Sequence, residues 1–419
     1  MLVGWCLFLV PYSLVLVVCG SETKTEERVP RTQYQGAGYR GTSTQERATS
    51  NLDPEAIFSI FVVIHSLHMD NFQDDYLKGR GAQINPSNPF EPHVRDSALI
   101  IDEDISTKTK YLETHAKSLL NKVDSPDIGM AWSMNPYQGC EHGCVYCYAR
   151  NTHTYWGYSA GLEFEQIILV KKDAPKLLRE KLQSRSWEPV PIMLSGNTDC
   201  YQPIERKLEI TRQLLQVLWE FRHPVGMITK NSLILRDTDI LEKMAEHDLV
   251  KVSLSINGLD ETLRQMLEPR TATYQKRLET VKALSERSIP VNVMVAPIIP
   301  GLNEHEIFDV VKAAADAGAR TAHHIVVRLN GDVRAIFEDW LKKNFPDRAA
   351  KVINKISSMH GGKTNDSRFH TRMRGEGEIA DMIAAQMRLA KRKFMAGRSM
   401  PEYNLDLYKM YRDKQLKLF

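Results

Sequence analysis

Short apolar runs alternate with longer amphipathic ones through the middle of the chain. The pattern predicts strands over 130–134, 167–170, 191–194, 225–229, 250–256, 291–296 and 322–328. Helices are expected over 175–183, 205–221, 238–246, 273–287 and 304–317, and in 205–221 Leu208, Leu214, Leu215 and Leu218 recur at helical spacing. Helices placed between short apolar strands argue for an α/β protein with a parallel sheet and crossover helices. Sheets of that kind carry their chemistry at the C-terminal ends of the strands. Beyond residue 330 the alternation stops. Helices are expected over 335–344, then to about 359, and over 378–395, the last basic at its end through Arg388, Lys391, Arg392 and Lys393.

The N-terminal part follows different rules. Residues 78–90 are rich in Gly, Asn and Pro and read as an extended arm, with Asn85-Pro86 and Asn88-Pro89 as plain turns. The first twenty residues are apolar, like a signal or anchor. No Lys or Arg precedes Lys24, however, and Pro11 interrupts the run. A second apolar patch covers 57–64. The expected organisation is a dispensable extension over 1–68, an arm over 69–125, an α/β core over 126–330 and a helical, basic region over 331–419. A membrane anchor is the rival reading of the extension; stable membrane association is not expected.

Three cysteines change the picture most. Cys140-Glu-His-Gly-Cys144-Val-Tyr-Cys147 places three thiols on one loop after the strand at 130–134. Soft thiolates favour zinc or iron–sulfur clusters, and a structural zinc site would want a fourth protein ligand. A [4Fe–4S] cube held by three cysteines keeps one iron open, which suits catalysis. Gly139 and Gly143 let the backbone wrap such a group closely, and His142 is expected to shape the loop rather than bind metal. The other three of the six cysteines (Cys6, Cys19, Cys200) make no disulfide framework, so a reduced, cytoplasmic setting fits. Composition adds little: 419 residues, 42% hydrophobic, 26% charged and a net charge of +3 neither demand nor exclude a nucleic-acid partner.

With the supporting signals in order behind it, the cysteine motif resembles that of the radical S-adenosylmethionine (SAM) superfamily, in the branch around spore photoproduct lyase. The resemblance implies a partial (β/α)6 barrel, a [4Fe–4S] cluster on Cys140, Cys144 and Cys147, and SAM bound to the open iron. It also implies an electron donor such as flavodoxin or ferredoxin. Tyr146 is then expected against the adenine, and the Ser195-Gly196-Asn197-Thr198-Asp199 loop near the amino group of methionine. Lys230 would meet the SAM carboxylate, and Ser253 and Ser255, alternating on one strand face, the ribose hydroxyls. The segment 296–301 would form an apolar shelf.

In that branch two tyrosines, here Tyr146 and Tyr148, are thought to relay a hydrogen atom together with a cysteine donor. The donor's position matches Gly196 in this chain. Cys200, four residues on, either substitutes for it or is an inert small hydrophobe. Arg270 is expected near SAM or in a structural ion pair. Arg368, Arg372, Arg374, Lys391, Arg392 and Lys393 either hold phosphates or form a solvated face. The substrate by analogy is a nucleic acid; the alternatives are a protein, a peptide or a small metabolite, or a non-catalytic zinc or iron–sulfur protein.

Overall fold

The computed structural model describes residues 4–10, 13–19, 76–88 and 108–416. The chain divides into two compact units, Met1–Asp70 and Asn71–Phe419. In the first, β1 (Gly4–Val10) and β2 (Ser13–Cys19) pair as an antiparallel hairpin, and the apolar patch expected at 57–64 lies outside the described residues. No helix among the described residues is long and apolar enough to cross a membrane.

The second unit is built on β3 (Lys110–Glu113), β4 (Leu120–Lys122), β5 (Trp132–Met134), β6 (Tyr137–Gln138), β7 (Ile167–Val170), β8 (Ile192–Leu194), β9 (Val225–Thr229), β10 (Val250–Ser255), β11 (Val291–Ile298) and β12 (Thr321–Val326). One sheet runs β12-β11-β10-β9-β8-β5-β4. Six of its strands, β5 and β8 to β12, are parallel neighbours, and β4 adds an antiparallel edge. This is the expected partial (β/α)6 barrel. Along β10 the side chains of Val250, Val252 and Leu254 are buried beneath the helices, while Lys251 and Ser253 are half-buried on the opposite face. That opposite face is the barrel interior.

Two expectations are corrected. Residues 167–170 do form a strand, but β7 lies outside the barrel, in a small sheet of order β3-β7-β6. Its apolar run reflects burial beside the cysteine loop rather than a place in the main sheet. The single helix expected over 205–221 is two, Glu205–Leu208 and Ile210–Glu220, broken at Glu209 with φ 51°. The buried Glu205 carboxylate accepts from the Thr211 amide at 3.1 Å, and so captures a donor that a continuous helix would give to a main-chain carbonyl.

The helices Val333–Asn344, Ala349–Met359 and Glu378–Phe394 make up the C-terminal region, followed by Asp406–Leu416. Between the last two, the chain passes under the N-terminal ends of the barrel strands. Asn404 donates its amide to the Asp248 carbonyl at 3.1 Å. The Tyr403 ring meets Lys251 Nζ at 3.9 Å. A Cβ placed on Gly226 would sit 2.9 Å from the Tyr403 hydroxyl and 2.3 Å from the Met130 methyl.

Candidate active site

The cysteine loop leaves β6 at the C-terminal end of the barrel. Gly139 and Gly143 have φ of 81° and 69°, which side chains adopt poorly. A Cβ on Gly139 would come within 2.5 Å of the Ile167 carbonyl, and one on Gly143 within 2.8 Å of Glu165 Oε2. Cys140 and Cys144 are each 7% exposed and Cys147 is half-buried. The loop is held by its main chain. The Cys140 amide donates to the Phe164 carbonyl at 2.9 Å and the Val145 amide to the Leu267 carbonyl at 3.1 Å. Arg150 Nε donates to the Cys144 carbonyl at 2.9 Å, and the Glu141 amide to Gln202 Oε1 at 3.0 Å. His142, fully enclosed, lies 3.3 Å from Asp199. Burial works against its charge, but Asp199 outweighs burial and raises the imidazole to about 10. His142 therefore braces the loop as expected.

This donor set fits an iron–sulfur cluster. Burial pushes the Cys144 thiol well above its ordinary value, Lys230 opposes the shift, and Glu268, Cys147 and Cys140 add to it. Burial raises the Cys147 thiol as well, and iron takes its cysteine ligands as thiolates.

Around the loop stand the other expected residues. Lys230 follows β9, its Nζ 6.0 Å from the Tyr146 ring centre. Burial acts to lower the lysine, yet Cys144 and Glu268 leave it raised. The Tyr146 hydroxyl donates to Glu268. Glu268 is fully buried and also takes Arg277 Nη2 at 2.5 Å. No sequence pattern points to Glu268 or Arg277; the one available signal is that Glu268 stands two residues before Arg270. Arg270 itself lies 3.7 Å from Glu141, the structural ion pair. Tyr148 is 48% exposed and donates its hydroxyl to the Gly196 carbonyl, so it ties the cysteine loop to the end of β8.

The side chains of the 195–199 loop are engaged, mostly by partners outside the loop. Ser195, at φ 75°, donates Oγ to the Thr198 carbonyl at 2.8 Å and accepts the Cys200 amide at 2.9 Å. Thr198 donates to the Tyr137 carbonyl at 2.6 Å, and Asn197 Nδ2 to Thr152 at 3.1 Å. Asp199 accepts from the Thr229 hydroxyl and the Lys230 amide, both at 2.8 Å, and from the Tyr201 amide at 2.9 Å. Burial raises that carboxyl, but His142 and these donors hold it down at about 2. Asp199 thereby fixes the start of the Lys230 segment.

Cys200 needs a correction. It has no exposed surface, belongs to the main hydrophobic core, and burial pushes its thiol well above the usual range. A donor must reach the substrate, and a residue enclosed by core packing is the inert hydrophobe of the two readings. Ser253 faces the barrel interior and accepts Asn292 Nδ2 at 3.0 Å. Asn292 Oδ1 in turn lies 2.8 Å from His323 Nδ1. Ser255 is buried, and its carbonyl accepts Arg277 Nη1 at 2.9 Å.

The basic residues divide. Arg368 pairs with Asp366 and Glu376, and Arg372 with Asp127. The side chains of Arg328, just after β12, and of Arg374, Arg388 and Lys391 have no hydrogen bond or ion pair among the described residues. Burial first, and then the cations Arg374, Lys391 and Arg388 together with His323, bring His324 down to about 4. Unpaired positive charge thus collects around His324 on β12, the edge strand of the barrel sheet.

A family model described as the radical SAM superfamily matches residues 134–314. An uncharacterized protein of Mycobacterium tuberculosis (strain ATCC 25618 / H37Rv) is 31% identical over 244 residues, 58% of this chain and 72% of that protein. The chain belongs to the radical SAM superfamily. Radical SAM proteins use a [4Fe–4S] cluster and SAM. The sporulation killing factor maturation protein SkfB of Bacillus subtilis (strain 168) is 32% identical over 180 residues, 43% of this chain and 38% of SkfB. Among solved structures, spore photoproduct lyase complexed with dinucleoside spore photoproduct shares the fold. The TM-score is 0.53 at 17% identity, over 68% of this chain and 80% of that one.

Proposed function

We propose that this radical SAM protein cleaves SAM reductively and directs the 5′-deoxyadenosyl radical at a nucleic acid. The observation that carries the first step is the loop of Cys140, Cys144 and Cys147 facing the raised Lys230. Cys140, Cys144 and Cys147 would hold the cluster, which when bound would supply the electron for cleavage of SAM into methionine and the 5′-deoxyadenosyl radical. The chain's own residues do the rest. Lys230 holds the SAM carboxylate. Tyr146, fixed by Glu268, presents its ring to the adenine. The Ser253 hydroxyl serves the ribose from the barrel interior. Because the side chains of 195–199 are already engaged, mostly by neighbouring segments, the methionine amino group is met by main-chain oxygens of that loop. Tyr148 is exposed beside the site, its hydroxyl held by the Gly196 carbonyl. A flavodoxin- or ferredoxin-type protein supplies the electron.

The nucleic-acid reading is supported by the unpaired Arg328, Arg374, Arg388 and Lys391, which suit phosphates, and by the fold shared with the lyase. The similarity to SkfB favours a second reading, a peptide substrate. Anaerobically reconstituted protein is expected to be brown and, with dithionite and SAM, to release 5′-deoxyadenosine. Cys144→Ala is expected to lose both the colour and the cleavage. Retained cleavage in that variant overturns the assignment.

A further inference from the structure

The turn-rich segment reads from sequence as an extended arm, and its Arg80-Gly81-Ala82 stretch is packed behind the cysteine loop. Arg80 is 4% exposed and Ala82 has no exposed surface. Glu165, fully buried, accepts from the Gly81 amide at 3.1 Å, the Ala82 amide at 2.8 Å and Arg150 Nη2 at 2.5 Å. Arg150 is equally buried and reaches the other way, to the Cys144 carbonyl at 2.9 Å. Arg80 Nη1 donates to the Glu165 carbonyl at 2.9 Å. One carboxylate therefore joins the arm to the guanidinium that grips a cysteine's main chain.

The approach is also as close as backbones allow. A Cβ on Gly81 would lie 1.7 Å from the carbonyl oxygen of Gly143, midway through the cysteine loop. No side chain fits there without moving the loop. A Cβ on Gly79, two residues earlier, would meet nothing within 4 Å. The packing continues along the arm, where the Leu162 amide donates to the Ile84 carbonyl at 3.3 Å and Ser159 Oγ to the Pro86 carbonyl at 2.7 Å.

We propose that Arg80-Gly81-Ala82 is a clasp for the iron–sulfur cradle, with Gly81 and Arg80 as positioning residues for the cluster. The inference rests on the cluster assignment made above. Its logic is that outer partners which orient metal ligands govern retention of the metal. The arm, not the barrel alone, completes the cofactor site.

The test measures iron and sulfide per chain after anaerobic reconstitution, and the half-time of iron release to a chelator, with circular dichroism as the check on fold. Gly81→Ala is expected to release iron about tenfold faster or more, while the fold signal is kept. Gly79→Asn, in open space and at a φ that asparagine tolerates, is expected to match wild type. Arg80→Met is expected to fall between them and Arg80→Lys to recover part of the loss. Wild-type retention in a folded Gly81→Ala protein overturns the clasp. Should Gly81→Ala not fold, wild-type retention in Arg80→Met does so instead. If the wild-type chain itself takes up no iron, the radical SAM reading fails first, and the clasp with it.

Discussion

Glu268 receives the Tyr146 hydroxyl and the Arg277 guanidinium in a site closed to solvent, with Lys230 close by. Arg277 is as deeply buried and also holds the Ser255 carbonyl. Burial raises the Glu268 carboxyl, yet Arg277 and then Lys230 leave it below its usual value. Removing one member of such a pair strands the other charge. Glu268→Gln is therefore expected to lower stability by about 3–5 kcal/mol, read from urea unfolding. A drop within experimental error would show that Arg277 finds another partner. The three cysteines are legible in the sequence because their chemistry lies in their own spacing. Glu268 is not, because its partners come from three different elements and meet only after folding. Cys200 misleads for the converse reason: nearness in sequence to the site loop gives no information about which way a side chain points.

Strands and helices of the barrel are legible where an apolar run stands between clear breaks, as for β9 at Val225–Thr229. The β7 segment has the same local character as a barrel strand, and only its pairing with β3 and β6 separates it. The helix break at Glu209 is hidden from sequence because an acceptor beyond the helical ladder, the Glu205 carboxylate, captures the Thr211 amide. Glu209 is exposed and held in the left-handed region, a conformation that disfavours side chains. Glu209→Gly is expected to stabilise the fold by about 1 kcal/mol, measured as a higher urea midpoint with an unchanged slope. A lower midpoint would mean that the Glu209 side chain does more than its exposure suggests.

For the whole molecule, a net charge of +3 conceals an uneven distribution. Acidic partners neutralise Arg368 and Arg372, while the side chains of Arg374, Arg388 and Lys391 remain unpaired among the described residues, near His324 of β12. If these bind phosphates, a labelled oligonucleotide should bind more weakly as salt rises. Replacing all three by Ser should flatten the slope of log affinity against log salt by about 0.7–0.9 for each phosphate no longer neutralised. Equal slopes, or no binding at all, would leave the peptide reading in possession of the site.

The tail that carries Tyr403 lies beneath Gly226 and Lys251, and for the proposed radical chemistry it would serve as a stopper. A carbon-centred radical survives only where stray molecules are kept away, and a barrel open at both ends would admit them from behind. Severing the chain ahead of that tyrosine should leave the metal loop assembled but the reaction wasteful, with SAM consumed out of proportion to the product formed.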